Sequence, residues 1–275
     1  MIYPKTRRLI VVLIALTFVA LSHHRSHHVA SAQTTTPDTI GLYNPTEANF
    51  YLRTESSEGV ADITVTFGSP QSNWLPLVGD WDGDGVDTPG LYDPETSVFF
   101  LRNSNTTGIA DLTVVFGSPK SGWLPIVGDW DGDGMITIGL VDPTTATWYL
   151  RNTNTEGTAD IQFVLGEVGM LPVTGDWDGD GETTVGWYNP QTTLFSLRNS
   201  NTTGKTFNVL YGNPKSGWLP VVGDWDLDGI TTVGLYDPAL SQFFLRNSNT
   251  TGEADITFVY GQGGAGWLPV TGQWK

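Results

Sequence analysis

The sequence predicts an all-β protein: a five-bladed β-propeller of four-stranded antiparallel blades, its ring closed by pairing of the N- and C-terminal strands. Three observations predict it. The pentapeptide GLYNP at Gly41 recurs as GLYDP at Gly90, GLVDP at Gly139, GWYNP at Gly186 and GLYDP at Gly234, in steps of 49, 49, 47 and 48 residues. A period of that length marks an array or a propeller. Each unit then carries four short alternating segments rich in β-branched and aromatic residues, separated by Asn/Asp/Gly/Pro clusters, and none carries a sustained helical stripe. Finally, the first unit starts near residues 39–41, whereas the chain ends on the Leu-Pro-Val-Thr-Gly-Gln-Trp segment that opens a further unit. Pairing that last segment with the first three completes a fifth blade and hides two sheet edges. An open β-solenoid or a two-sheet stack is the alternative.

From the N-terminus, Lys5, Arg7 and Arg8 precede an unbroken apolar run at residues 9–21, and Ala30-Ser31-Ala32 supplies a small-x-small site. Residues 1–32 therefore read as a secretory signal peptide cut before Gln33. The apolar run is shorter than the roughly 20 residues that span a bilayer, so the mature chain is expected to be secreted or held at a cell surface without inserting into the membrane. The polar stretch at residues 22–28 keeps an uncleaved anchor open as the alternative. Residues 33–37 read as a short linker and residues 38–275 as one propeller domain of five repeats.

Cleavage has a chemical consequence. His23, His24, His27 and His28 are the only histidines, and the sequence has no cysteine. The mature chain then lacks disulfides, thiolate or imidazole metal ligands, and the histidine of a serine triad. Lys5, Arg7, Arg8 and Arg25 also leave with the signal, so nine basic groups face 29 acidic ones. Phosphate binding needs clustered Lys and Arg, which excludes nucleic acid as the expected partner.

Within the last full unit, strands are expected at residues 231–236, 242–246, 255–260 and 268–274. An Asp-Pro turn, an Asn-Ser-Asn-Thr-Thr-Gly turn and a glycine-rich loop separate them in that order. Between the Leu-Pro strand and the following Thr strand lies Asp80-Trp81-Asp82-Gly83-Asp84-Gly85, repeated from Asp129 and Asp176 and, with Leu227 in place of a glycine, from Asp224. Three carboxylates at alternate positions before a turn-permitting glycine make a cage of hard oxygen ligands, which suits calcium better than magnesium or zinc. The candidate ligands are Asp80, Asp82, Asp84 and the Val86 carbonyl; Asp129, Asp131, Asp133 and the Met135 carbonyl; Asp176, Asp178, Asp180 and the Glu182 carbonyl; and Asp224, Asp226, Asp228 and the Ile230 carbonyl. Up to four calcium ions are expected. Alternatively, the aspartates only accept hydrogen bonds from turn amides. The last copy, Gly272-Gln273-Trp274, keeps the tryptophan and loses the first carboxylate.

The DxDxDG loop inside a propeller-length repeat resembles the FG-GAP and VCBS-type repeats, including the calcium-binding blades of integrin α-subunits. The resemblance covers about residues 38–275 and implies a propeller with calcium in its interstrand loops and a role in adhesion or ligand binding. The chain departs from that pattern at the ninth loop position, where it has Thr88, Thr137, Thr184 and Thr232 in place of aspartate, with Asp87 the nearest replacement in the first loop. Weak affinity is the expected result.

Other recurrent residues carry two readings each. Trp81, Trp130, Trp177, Trp225 and Trp274, with Trp74, Trp123, Trp218 and Trp267, are expected to pack between blades, the alternative being sugar stacking. Met170 stands in for the missing member of the second set. Arg53, Arg102, Arg151 and Arg246 are expected to pair with Asp62, Asp111, Asp160 and Asp255, which leaves Arg198, opposite Thr206, without its partner. Asn105, Asn201 and Asn249 start N-x-Thr sequons inside turns and are expected to serve turn chemistry. The function expected from these features is a secreted, non-catalytic, calcium-binding module, monomeric, with an extracellular protein or glycan as partner. A multivalent lectin is the alternative, and a propeller glycoside hydrolase, with Glu167 in the least repetitive stretch, is the third reading.

Overall fold

The computed structural model describes residues 36–275, so the expected signal peptide, its histidines and most of the 33–37 linker lie outside the described residues. The described chain forms a five-bladed propeller of four-stranded antiparallel sheets. Blade 2 contains β4 (Leu75–Gly79), β5 (Thr88–Asp93), β6 (Val98–Leu101) and β7 (Leu112–Val115), in that order from axis to rim. Blade 3 contains β8 (Leu124–Gly128), β9 (Thr137–Asp142), β10 (Thr147–Leu150) and β11 (Ile161–Val164). Blade 4 contains β12 (Leu171–Gly175), β13 (Thr184–Asn189), β14 (Leu194–Leu197) and β15 (Phe207–Leu210). Blade 5 contains β16 (Leu219–Gly223), β17 (Thr232–Asp237), β18 (Gln242–Leu245) and β19 (Ile256–Val259).

Blade 1 draws on both ends of the chain: β20 (Leu268–Gly272) is its inner strand, followed by β1 (Thr39–Asn44), β2 (Asn49–Leu52) and β3 (Ile63–Thr66). β1 and β20 pair from Thr39↔Gly272 to Tyr43↔Leu268, which closes the ring as the repeat phase predicts. The strands lie within one or two residues of expectation. No helix among the described residues is long and apolar enough to cross a membrane.

The core lies between blades. Leu77, Trp81, Tyr92 and Phe99 of blade 2 pack in one cluster with Ile138 and Leu140 of blade 3, and equivalent clusters join the other neighbours. The Trp81 set therefore serves interblade packing. The Trp74 set does so as well: Trp74, Trp123, Trp218 and Trp267 stack on Phe100, Tyr149, Phe244 and Tyr51 of their own blades, with ring centroids 4.6–5.0 Å apart, and each stacked pair packs against an interblade cluster. Where Met170 replaces the tryptophan, Ser196 replaces its aromatic partner, so the pair is exchanged as a unit.

Two features hold neighbouring blades at a constant depth. Each inner strand ends in a glycine, and a Cβ on Gly79, Gly128 or Gly175 would lie 2.4–2.5 Å from a methyl of Ile136, Thr183 or Thr231 in the next blade. The same next-blade positions donate backbone hydrogen bonds around the ring: Ile136 to Asp80, Thr183 to Asp129, Thr231 to Asp176, Asp38 to Asp224 and Asp87 to Gln273, at 2.7–2.9 Å.

Candidate metal loops and the axial channel

Each acidic loop connects the inner strand to the second strand of one blade, at one end of the ring. Its first aspartate organises the turn. Asp80 accepts from the amides of Gly83, Asp84 and Gly85 at 2.8–3.1 Å, and Asp176 accepts from Gly179, Asp180 and Gly181 at 2.8–3.2 Å. Asp129 and Asp224 accept from two amides each. The glycines turn the chain with positive φ, +76° at Gly83 and +85° at Gly85. Leu227 takes the same left-handed conformation at +63°, which costs an L-residue about 1–2 kcal/mol and shows how firmly the loop shape is imposed.

Turn capping is thus real, and it does not exhaust the carboxylates. In all four loops the three aspartates bring one oxygen each to within 4.8 Å of the others. The second and third aspartates are exposed, so this site is open to solvent. Burial and the charges of Asp84 and Asp80 push the Asp82 carboxyl above the usual range. Burial and the neighbouring carboxylates do the same to Asp131 and Asp226. Val86, Met135, Glu182 and Ile230 are fixed beside the triplets by donating their amides to Asp84, Asp133, Asp180 and Asp228 at 2.9–3.0 Å. The Glu182 side chain, which the sequence reading did not single out, is held by Asn201 at 3.2 Å, and burial followed by the Asp180 charge raises its pKa.

The ninth-position residues are not ligands. Thr88, Thr137, Thr184 and Thr232 are buried and donate their hydroxyls to the carbonyls of Gly79, Gly128, Gly175 and Gly223 at 3.1–3.3 Å. Nor does Asp87 stand in for a loop carboxylate: it turns to the neighbouring blade and accepts the Gln273 amide at 2.8 Å. The sequon asparagines also face inward. Asn105, Asn201 and Asn249, with Asn154, donate to the carbonyls of Asp87, Thr183, Thr231 and Ile136 at 2.7–2.9 Å, tying the second turn of each blade to its acidic loop.

The inner strands enclose an axial channel of about 390 Å³, lined by residues such as Pro76, Val127, Thr174, Val222 and Thr271, with Asp38 and Asp87 at its acidic-loop end. Burial, before any charge effect, raises the Asp38 pKa to about 6 and the Asp87 pKa to about 7, and the Asp38 charge adds to the second. The Leu-Arg pairs form as expected, with Nη1 to carboxylate distances of 2.7, 3.6, 2.8 and 3.1 Å for Arg53, Arg102, Arg151 and Arg246. Glu167 lies beside Trp148, Met170 and Trp187 at a cavity of only about 10 Å³.

The fold and these loops define a closed five-bladed propeller with four carboxylate triplets on one face. No protein-family model matches the chain, and no curated protein matches it. Among solved structures, the chain is similar to an Agrocybe aegerita lectin that specifically recognises non-reducing terminal N-acetylglucosamine, at 15% identity and a TM-score of 0.44, over 74% of this chain and 58% of the lectin chain. The match thus spans little more than half of the lectin's length.

Proposed function

We propose that this protein is a secreted, non-catalytic binding module of the FG-GAP/VCBS kind, whose acidic loops hold calcium and whose ring presents a rigid surface to an extracellular protein or glycan. The observation that carries the reading is the fourfold convergence of three carboxylate oxygens on a glycine turn. Like charges so close repel, and a hard divalent cation relieves that repulsion while satisfying oxygens the turn amides leave free. Asp80, Asp82 and Asp84 and their counterparts would hold the ion, and the ion would stiffen the link between the first two strands of the blade. The cavity beside Glu167 is too small to seat a sugar ring, and hydrolysis of a glycoside needs a second carboxylate beside the first.

The test is a thermal melt of residues 33–275 in calcium and in EDTA, followed by a glycan array with a turnover assay. An ion held at about 100 times its Kd adds about 2.7 kcal/mol. In a chain of this length that is a rise of about 5–10 °C for a single loop. An unchanged melt removes calcium from the reading, and hydrolysis abolished by Glu167→Gln replaces the binding module with an enzyme.

A further inference from the structure

The Leu-Arg arginines anchor the second turn of every blade but one. Arg53 donates Nη1 to the Val60 carbonyl and Asp62, Nη2 to Ser57 Oγ and the Glu58 carbonyl, and Nε to the Ser57 carbonyl. The facing carboxylate also accepts the amide after the arginine: Thr54 to Asp62, Asn103 to Asp111, Asn152 to Asp160 and Asn247 to Asp255, at 2.8–2.9 Å. The guanidinium lies beneath the turn glycine, where a Cβ on Gly59, Gly108, Gly157 or Gly252 would come within 2.7–3.1 Å of it.

Blade 4 keeps the arginine and lacks the acid. The β14–β15 register places Arg198 opposite Thr206, as Arg53 lies opposite Asp62. Arg198 is 4% exposed, yet its guanidinium makes one hydrogen bond among the described residues, from Nε to the Ser200 carbonyl, and Nη2 is buried without a partner. It has left its place under the turn: only its aliphatic stem approaches Gly204, and Cζ lies 4.6 Å from the ring centroid of Phe163 on blade 3. A buried cation over an aromatic face gains a little from the ring quadrupole, but its unmet N–H groups carry a desolvation penalty. Thr206 and Asn199 are exposed, so the place that a carboxylate fills in the other four blades is open to solvent.

We propose that the crevice between the 198–206 turn of blade 4 and Phe163 of blade 3 is a binding site for one carboxylate group of a ligand, with Arg198 as its charge partner and the Asn199 amide as its second donor. The ligand supplies in trans what Asp62, Asp111, Asp160 and Asp255 supply in cis. A carboxylate fits better than a larger oxyanion because the site is the vacated place of an aspartate side chain, and a planar guanidinium meets a planar carboxylate with two parallel hydrogen bonds. The site occurs once in the ring and does not depend on the calcium reading.

The experiment is calorimetric titration of the full mature chain, at fixed ionic strength, with galacturonate, with N-acetylaspartate and with neutral galactose. Thr206→Asp and Arg198→Gln are run in parallel. The wild type is expected to bind at least one of the acids and not galactose; galacturonate alone points to an acidic sugar, and N-acetylaspartate alone to an acidic peptide. Thr206→Asp, which restores the internal partner, is expected to melt higher than the wild type and to bind at least tenfold more weakly, and Arg198→Gln to bind as weakly. The site is refuted if neither acid binds the wild type, or if Thr206→Asp binds as tightly as the wild type. Metal-bridged binding at the acidic loops would survive Thr206→Asp and so counts against it.

Discussion

Blade 1 and blades 2–5 build the same sheet by different routes, and the contrast shows what chain continuity supplies. In blades 2–5 the inner strand runs directly through an acidic loop into its neighbour, whereas in blade 1 the inner strand is the C-terminus and the next strand is the N-terminus. Both junctions flanking blade 1 use carboxylates at the axis: Asp38 accepts the Asp224 amide and Asp87 accepts the Gln273 amide, each at 2.8 Å. Two other junctions use the Thr183 and Thr231 hydroxyls for the same task, at 3.0–3.1 Å. The asparagine that ties turn to loop elsewhere is Ser56 in blade 1, its Oγ buried without a partner. A cavity of about 20 Å³ lies nearby, between Thr54 and Trp274. The joint between the chain ends thus has a stronger acceptor at the axis and looser packing outside it.

Deleting residues 268–275 breaks the comparison outright. It exposes the β1 edge and takes Val270 and Trp274 out of the cluster that covers Leu52 and Phe67, in a fold with only about 5–15 kcal/mol of net stability to lose. The expected result is loss of a cooperative melt by circular dichroism, and a truncated chain melting as the parent does would contradict closure.

A smaller effect separates the two kinds of axial acceptor. Because Asp38 and Asp87 have pKa values raised to about 6 and 7 in the fold, the folded state binds more protons than the unfolded one between pH 4 and pH 7. Their stabilising contribution is therefore complete below pH 4 and lost as pH rises through 7. Melting temperature in EDTA should fall from pH 5 to pH 8, and Asp87→Asn, which keeps an oxygen for the Gln273 amide, should flatten that fall. Equal slopes in both proteins would show that Asp87 does not titrate in this range.

The smallest expected effect compares the turn ties. Asn249→Ala removes a donor to the Thr231 carbonyl at 2.8 Å and an acceptor for the Val233 amide at 3.2 Å, for a loss of about 1–3 kcal/mol by urea titration. Ser56→Ala should change stability by well under half of that, since its hydroxyl has nothing to lose.

Architecture was legible in the sequence because repetition averages out local ambiguity: any one alternating segment is a weak strand signal, whereas five copies in phase leave few folds. The acidic loops were legible for a related reason, their chemistry residing in a contiguous hexapeptide. What stayed hidden depends on partners distant in sequence. Nothing near Thr88 announces that it points to Gly79 and not into the loop, and Asn249 reads as a turn former until Thr231 is seen beneath it. Asp38 stands at the start of the propeller domain with nothing local to mark its role, because its contact is 186 positions away, at Asp224. The Trp74 set reads correctly as interblade packing, but its ring partners Phe100, Tyr149, Phe244 and Tyr51 stay hidden, because recurrence shows that a residue is needed in every copy without showing which ring it lies against.

The glycines that end the inner strands bear on why the ring has this circumference. A Cβ on Gly272 would lie 2.7 Å from Asp87 and one on Gly223 3.0 Å from Asp38, a little looser than at the other three, so all five wedges touch where a side chain is missing. A single added methyl at Gly79, Gly128 or Gly175 must open the wedge angle at that point, and a closed circle can absorb such an opening only by straining the remaining four. The diameter of this molecule is set by what those positions leave out.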